Sequence, residues 1–225
     1  MKKNRFFKFL FLTFSFLICC GFSSCKVFLS LVQNQNGDVY AEFSGIPEEA
    51  FINTIKSFLA NDSESTTNKN LIIDTAQINS FLINSGFTNV KVSNQIGANV
   101  DIKMTNPKDK TFIFDSKLVF SDNSGVNSNF GIDLSPATLQ TFYANADEQI
   151  ISILDILISP AFYGEEISEE EYIETIASLY GNDVAEEMNK SQIYITLKNK
   201  SGKVVEKSLP LKTLLTLKQS VKIGW

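Results

Sequence analysis

VFLSLVQNQNGDVYAEF, residues Val27 to Phe43, holds two apolar stretches, VFLSLVQ and DVYAEF, joined by NQNG. Asn and Gly accept the positive φ angles of tight turns, so Asn36-Gly37 between two such runs predicts a β-hairpin. A stretch of the same kind lies near the other end of the chain, where QIYITLK and KVVEKSLP flank NKSG. Hairpins at both ends enclose a helical block, and the ends are expected to meet. The fold class is therefore read as α+β: a largely antiparallel sheet with a βαβ unit, covered by a central block of helices between Pro136 and Lys190.

Between the hairpins the periodicity alternates. Pro47 opens a helical pattern in which Phe51, Ile52, Ile55, Phe58 and Leu59 recur at helical spacing, ended by the polar loop NDSESTTNKN. LIID reads as a buried strand, TAQINSFLINSG as a helix with Ile78, Phe81 and Leu82 on one face and Gly86 as its stop, and FTNVKVS as the next strand. A unit this short predicts a parallel, right-handed crossover, which is the βαβ element. NVDIKMT and TFIFDSKLVFS, around NPKDK, are expected to extend the sheet as an antiparallel meander, with SDNSGVNSN as the following turn.

Helices follow. Ser135-Pro136 reads as an N-cap with proline in the first helical position. EQIISILDILISP is apolar almost all round, with Glu148, Ser152, Asp155 and Ser159 forming one narrow polar stripe. In ISEEEYIETIASLYG, Ser168 and Glu171 have capping-box spacing, and Asp183 and Glu186 repeat it. LKTLLTLKQSVKIGW is ambiguous between helix and strand.

The leader has its own pattern. Lys2, Lys3, Arg5 and Lys8 precede an apolar run from Phe9 to Phe22, shorter than the about 20 residues a spanning helix needs, as in a secretory signal. All the cysteines of the chain, Cys19, Cys20 and Cys25, fall at the end of this run. Ser23-Ser24-Cys25 resembles the lipobox of bacterial lipoproteins, although Phe22 stands where Leu, Val or Ala is usual. The resemblance covers the leader alone. It implies that residues 1–24 are a signal peptide, that the Cys25 thiol carries the lipid, and that 25–225 form the mature body, a single α+β domain with a possible subdivision near 135. Cys20 is the rival site, with Leu17 well placed but Cys19 where a small residue is expected. Two acyl chains suffice for stable anchoring. No later segment reads as a span, so the body is expected to be soluble, tethered close to a bilayer, and free of disulfides. Lys26 after the lipid site resembles outer-membrane sorting in some lineages, so the expected location is the bacterial cell envelope, outer membrane or periplasmic face.

Beyond residue 24 the chain has no histidine and no arginine. Histidine-based acid–base catalysis, Ser–His or Cys–His nucleophiles, histidine-ligated zinc and bidentate arginine clamps are thereby excluded. The leader takes four basic residues with it, leaving sixteen Lys against 25 Asp plus Glu, a formal −9 that argues against nucleic acid. The charge is segregated: residues 118–189 hold fourteen acids and no Lys, whereas residues 190–225 hold eight Lys and one acid, Glu206. Two accounts compete. Either the lysines pair with acids inside the fold, or the Lys-rich end, including Lys198, Lys200, Lys203, Lys207, Lys212, Lys218 and Lys222, contacts anionic lipid while the acidic helices face an unknown protein partner.

No catalytic, cofactor or metal site is expected. Glu165, Glu166, Glu169, Glu170 and Glu171 are accounted for by the first turn of a helix, where the macrodipole favours carboxylates. Asp155 lies on the polar stripe of its helix. No EF-hand loop, GxGxxG or GxxxxGK pattern is present. The functional expectation is a non-enzymatic, membrane-anchored interaction or scaffold module. The alternatives are a carrier or sensor of an apolar ligand such as lipid, resting on the apolar helix and the twelve Phe of the body, and a carboxylate-only hydrolase.

Overall fold

The computed structural model describes residues 26–46, 75–94, 100–108, 111–122, 129–145, 167–217 and 220–225. In chain order the described elements are β1 (Lys26–Gln33), β2 (Val39–Gly45), α1 (Thr75–Asn84), β3 (Thr88–Asn94), β4 (Val100–Asn106), α2 (Phe112–Asp115), β5 (Val119–Asp122) and β6 (Asn129–Leu134). They continue as α3 (Pro136–Asn145), α4 (Glu169–Tyr180), α5 (Asn182–Lys190), β7 (Gln192–Lys198), β8 (Val204–Pro210), α6 (Leu211–Thr216) and β9 (Val221–Gly224).

The fold is α+β. A six-stranded sheet runs β3-β4-β2-β1-β7-β8 and a three-stranded sheet runs β5-β6-β9. Every described pairing is antiparallel except β1 with β7, which run parallel from Lys26↔Gln192 to Val32↔Lys198. The two terminal hairpins thus meet, side by side, in the middle of the large sheet.

The first hairpin turns as its sequence dictates. Gly37 takes φ 95°, its N–H donates to the Asn34 carbonyl, and the Asn34 N–H donates to the Asp38 carbonyl. The Asp38 carboxylate accepts the Lys108 N–H, which ties the turn to the end of β4. In the second hairpin the Asn199 side-chain oxygen accepts from the N–H groups of Ser201 and Lys203. Gln33 then joins three elements: its amide donates to Ser121 Oγ in β5 at 2.7 Å and accepts from the Lys200 N–H.

Side-chain alternation gives the large sheet two unlike faces. Val27, Leu31, Val39, Ala41, Val100, Ile102, Ile193, Ile195 and Leu197 are buried on the inner face. They form one cluster with Tyr172 and Ile176 of α4, Val184, Ala185 and Met188 of α5, and Phe130 and Ile132 of β6. Each buried Val, Leu, Ile, Phe or Met side chain among them contributes about 1.5–3 kcal/mol.

Helix ends follow local chemistry. Ser168 caps α4 reciprocally with Glu171: Glu171 N–H donates to Ser168 Oγ at 3.1 Å, and the Ser168 N–H donates to the Glu171 carboxylate at 2.8 Å. Ser135 Oγ accepts the Thr138 N–H ahead of Pro136, as expected of a cap. Gly86, at φ 90°, follows α1 as its stop.

Four sequence expectations are corrected or placed differently. TFIFD is not a strand: the N–H groups of Phe114 and Asp115 both donate to the Thr111 carbonyl, closing the turn of α2. Lys117, at φ 61°, then redirects the chain, so LVFS enters the small sheet instead of extending the large one. Asp183 does not cap α5, because Gly181 holds the cap position and Asp183 falls inside the first turn. The ambiguous tail is both things: α6 ends at Leu217, in the left-handed conformation at φ 43°, and β9 follows. The helix expected from Pro47, the LIID strand that would complete the βαβ unit, and the apolar run Glu148–Pro160 lie outside the described residues.

Candidate functional site

The outer face of the large sheet is built from the residues that alternate with the core. The registers place Ser93, Asp101, Ser44, Phe28, Tyr194 and Ser208 in one row across the six strands. The next row reads Lys91, Lys103, Glu42, Ser30, Thr196 and Glu206. In the first row the Phe28 and Tyr194 rings stack with centroids 5.2 Å apart at 19°. Both stay more than one-third exposed, at 42% and 37%.

In the second row Glu42 accepts from Lys103 Nζ at 2.6 Å and from the Tyr40 hydroxyl at 3.0 Å. The Lys103 hydrogen bond, then the Tyr40 one, holds the Glu42 carboxyl below the usual carboxylate range. Burial and the bond to Glu42 raise the Tyr40 hydroxyl, and the Lys103 ammonium is raised chiefly by its bond to Glu42. Such a triad fixes charges on a surface. It presents no group poised to exchange a proton near neutral pH.

The C-terminal lysines occupy separate places. Lys212 meets Glu169 at 3.3 Å and donates to Asn189 at 2.9 Å, while Thr213 Oγ1 donates to the other Glu169 oxygen at 2.7 Å, so α4, α5 and α6 share one polar clamp. Lys222 lies 3.7 Å from Asp133 and over the Phe120 ring, 5.0 Å from its centroid. Lys190 pairs with Glu186 one turn back along α5 and lowers its carboxyl. Lys198, Lys200 and Lys203 cluster at the β7–β8 turn, and Lys207 lies on edge strand β8. Lys218 is outside the described residues. Three acids of the 118–189 block, Asp133, Glu169 and Glu186, therefore take lysines from the 190–225 block, which is the internal-pairing account for those three.

Of the five clustered glutamates, Glu171 serves the capping box and Glu169 the clamp, Glu170 is exposed in the first turn, and Glu165 and Glu166 lie outside the described residues with Asp155. Among the described residues no group of three or more His, Cys, Asp or Glu is arranged to hold a metal ion, and no helix is long and apolar enough to cross a membrane.

Cys25 and Cys20 are outside the described residues, but the chain position after Cys25 is informative. Lys26 is the first residue of β1, an interior strand paired on both sides. Residues that sequence reasoning passed over stand at this end: Phe28 and Tyr194, whose signal was an apolar side chain in the polar phase of each strand. No protein-family model, no curated protein and no solved structure matches this chain.

Proposed function

We propose that the protein is a membrane-anchored lipoprotein of the bacterial cell envelope, acylated at Cys25, whose α+β body is a non-enzymatic interaction or scaffold module. The observation that carries this reading is in the sequence: Ser23-Ser24-Cys25 follows a basic start and an apolar run from Phe9 to Phe22 that is shorter than the about 20 residues a spanning helix needs. The body supplies lysine as its only basic side chain and no histidine, which supports recognition over catalysis.

The test is made on the full chain expressed in a bacterium. The mature protein is expected to begin at Cys25 and to carry the mass of the acyl groups, and Cys25→Ala is expected to leave the detergent phase. Unchanged partition of the C25A protein with normal incorporation of labelled palmitate defeats the assignment. If Cys20→Ala instead abolishes labelling, the anchor lies five residues upstream.

A further inference from the structure

Among the described residues, six large hydrophobic side chains stand exposed: Phe28, Ile46, Ile83, Leu179, Tyr194 and Val204. Three of them gather at one end of the large sheet. Phe28 and Tyr194 are register partners on β1 and β7, and Ile46, 43% exposed, follows Gly45 at the end of β2 that pairs with the start of β1. The exposed Lys26 stands at the same end. Phe28 is three residues from Cys25 in the chain, a reach of at most about 10 Å.

We propose that Lys26, Phe28, Ile46 and Tyr194 form a docking surface for the lipid headgroup layer, so that the body stands on the bilayer by this end of the sheet. This rests on acylation of Cys25 as argued above. An acyl group on Cys25 has no linker before β1, which holds this end at high effective concentration against the bilayer, so a small patch suffices where it would not bind from solution. The chemistry fits a headgroup layer: tyrosine seats its ring at the membrane–water interface, apolar side chains reach toward the acyl chains, and lysine meets anionic headgroups. The opposite end of the sheet carries the turns at Asn36-Gly37 and Ser201-Gly202, with Gln35 donating to the Lys200 carbonyl between them. On this placement that end, with Lys198, Lys200 and Lys203, faces away from the bilayer toward a partner, so these three lysines depart from the lipid contact considered for the Lys-rich end.

The experiment uses full-chain, lipidated protein in phosphatidylethanolamine–phosphatidylglycerol vesicles, with Trp225→Phe removing the single native tryptophan. F28W, Y194W and V204W are compared in vesicles with and without lipids brominated high on the acyl chains. Val204 is the control: it is 53% exposed and pairs with Lys198 at the far end of β7. The F28W and Y194W proteins are expected to lose about half of their emission to the brominated lipid, and V204W about a tenth or less. Having two probe positions covers the case in which one variant fails to fold. Equal emission with both lipids at Phe28→Trp and Tyr194→Trp, in protein whose mass carries the acyl groups, overturns the docking and leaves the anchor standing. A mature protein without that mass overturns both. A blue-shifted F28W emission that is already present in detergent and is lost on dilution assigns the patch to a second copy of the chain, and so overturns the lipid surface.

Discussion

Gly131 lies directly across the β6–β9 ladder from Gly224, and the space a side chain would need there is taken. A Cβ on Gly131 would stand 2.2 Å from the Ile223 carbonyl oxygen and 2.5 Å from Phe120 Cζ. The ring can swing away, but the carbonyl belongs to the ladder. Gly131→Ala is therefore expected to cost about 1–3 kcal/mol, as overpacking does. Urea unfolding should show a lower midpoint with an unchanged slope. An unchanged midpoint would mean that the ladder gives way freely.

The cap of α4 yields a graded pair of variants. Ser168→Ala removes the oxygen that accepts the Glu171 N–H and is expected to cost about 1 kcal/mol. Glu171→Gln keeps a side-chain oxygen able to accept the Ser168 N–H and should cost less. Thermal melts in which E171Q falls as far as S168A would show that the charge of Glu171, not the box, holds the turn.

Glu42 supplies a pH signature. Its folded pKa is depressed below the usual value of 4.5, so its contribution is present above that value and is lost as pH falls through the depressed one. The stability difference between the wild type and Glu42→Gln should thus shrink on acidification below pH 4.5 and reach its full size above it. Carboxyl-carbon NMR titration should place the Glu42 midpoint below those of exposed glutamates. Added salt should move the midpoint back toward them.

The clamp on α6 can be weighed against the pair in the small sheet. Lys212 and Glu169 are 3.3 Å apart and mostly covered, whereas Lys222 and Asp133 are 3.7 Å apart with the lysine largely in solvent. Double-mutant cycles to alanine are expected to give about 0.5–1 kcal/mol for Lys212–Glu169 and a smaller value for Lys222–Asp133. The reverse order would contradict the geometry.

The sequence made legible the α+β class, the meeting of the two end hairpins and, most sharply, the local signals. Asn36-Gly37, Ser168 with Glu171, Ser135-Pro136 and Gly86 each specify a turn or a helix end within a few residues, and each has that role. The errors came where a segment had two local solutions. TFIFD alternates like a strand, yet the Thr111 carbonyl closes a helical turn on it, and the tail divides at Leu217, whose left-handed backbone no periodicity announces. The outer face was hidden for a different reason. Alternation shows that Phe28 and Tyr194 oppose the phase of their buried neighbours, but their stacking depends on the β1–β7 register, which joins distant parts of the chain. Charge segregation was visible as a pattern. Which lysine serves which carboxylate was decided by packing, as Lys212 and Glu169 show.

The parallel β1–β7 pairing also sets an order of events during synthesis. β1 and β2 can close as soon as they emerge, but the other edge of β1 waits for Gln192–Lys198. At a synthesis rate of about 5–20 residues per second that wait is on the order of ten seconds, during which a strand with Val27, Leu31 and Val32 shows an open backbone edge. Closing the sheet is thus a late, long-range step, and a chain of high contact order folds slowly. Until about the last sixth of the chain arrives that edge stays unpaired, and any truncation ahead of Gln192 would leave it permanently available for aggregation.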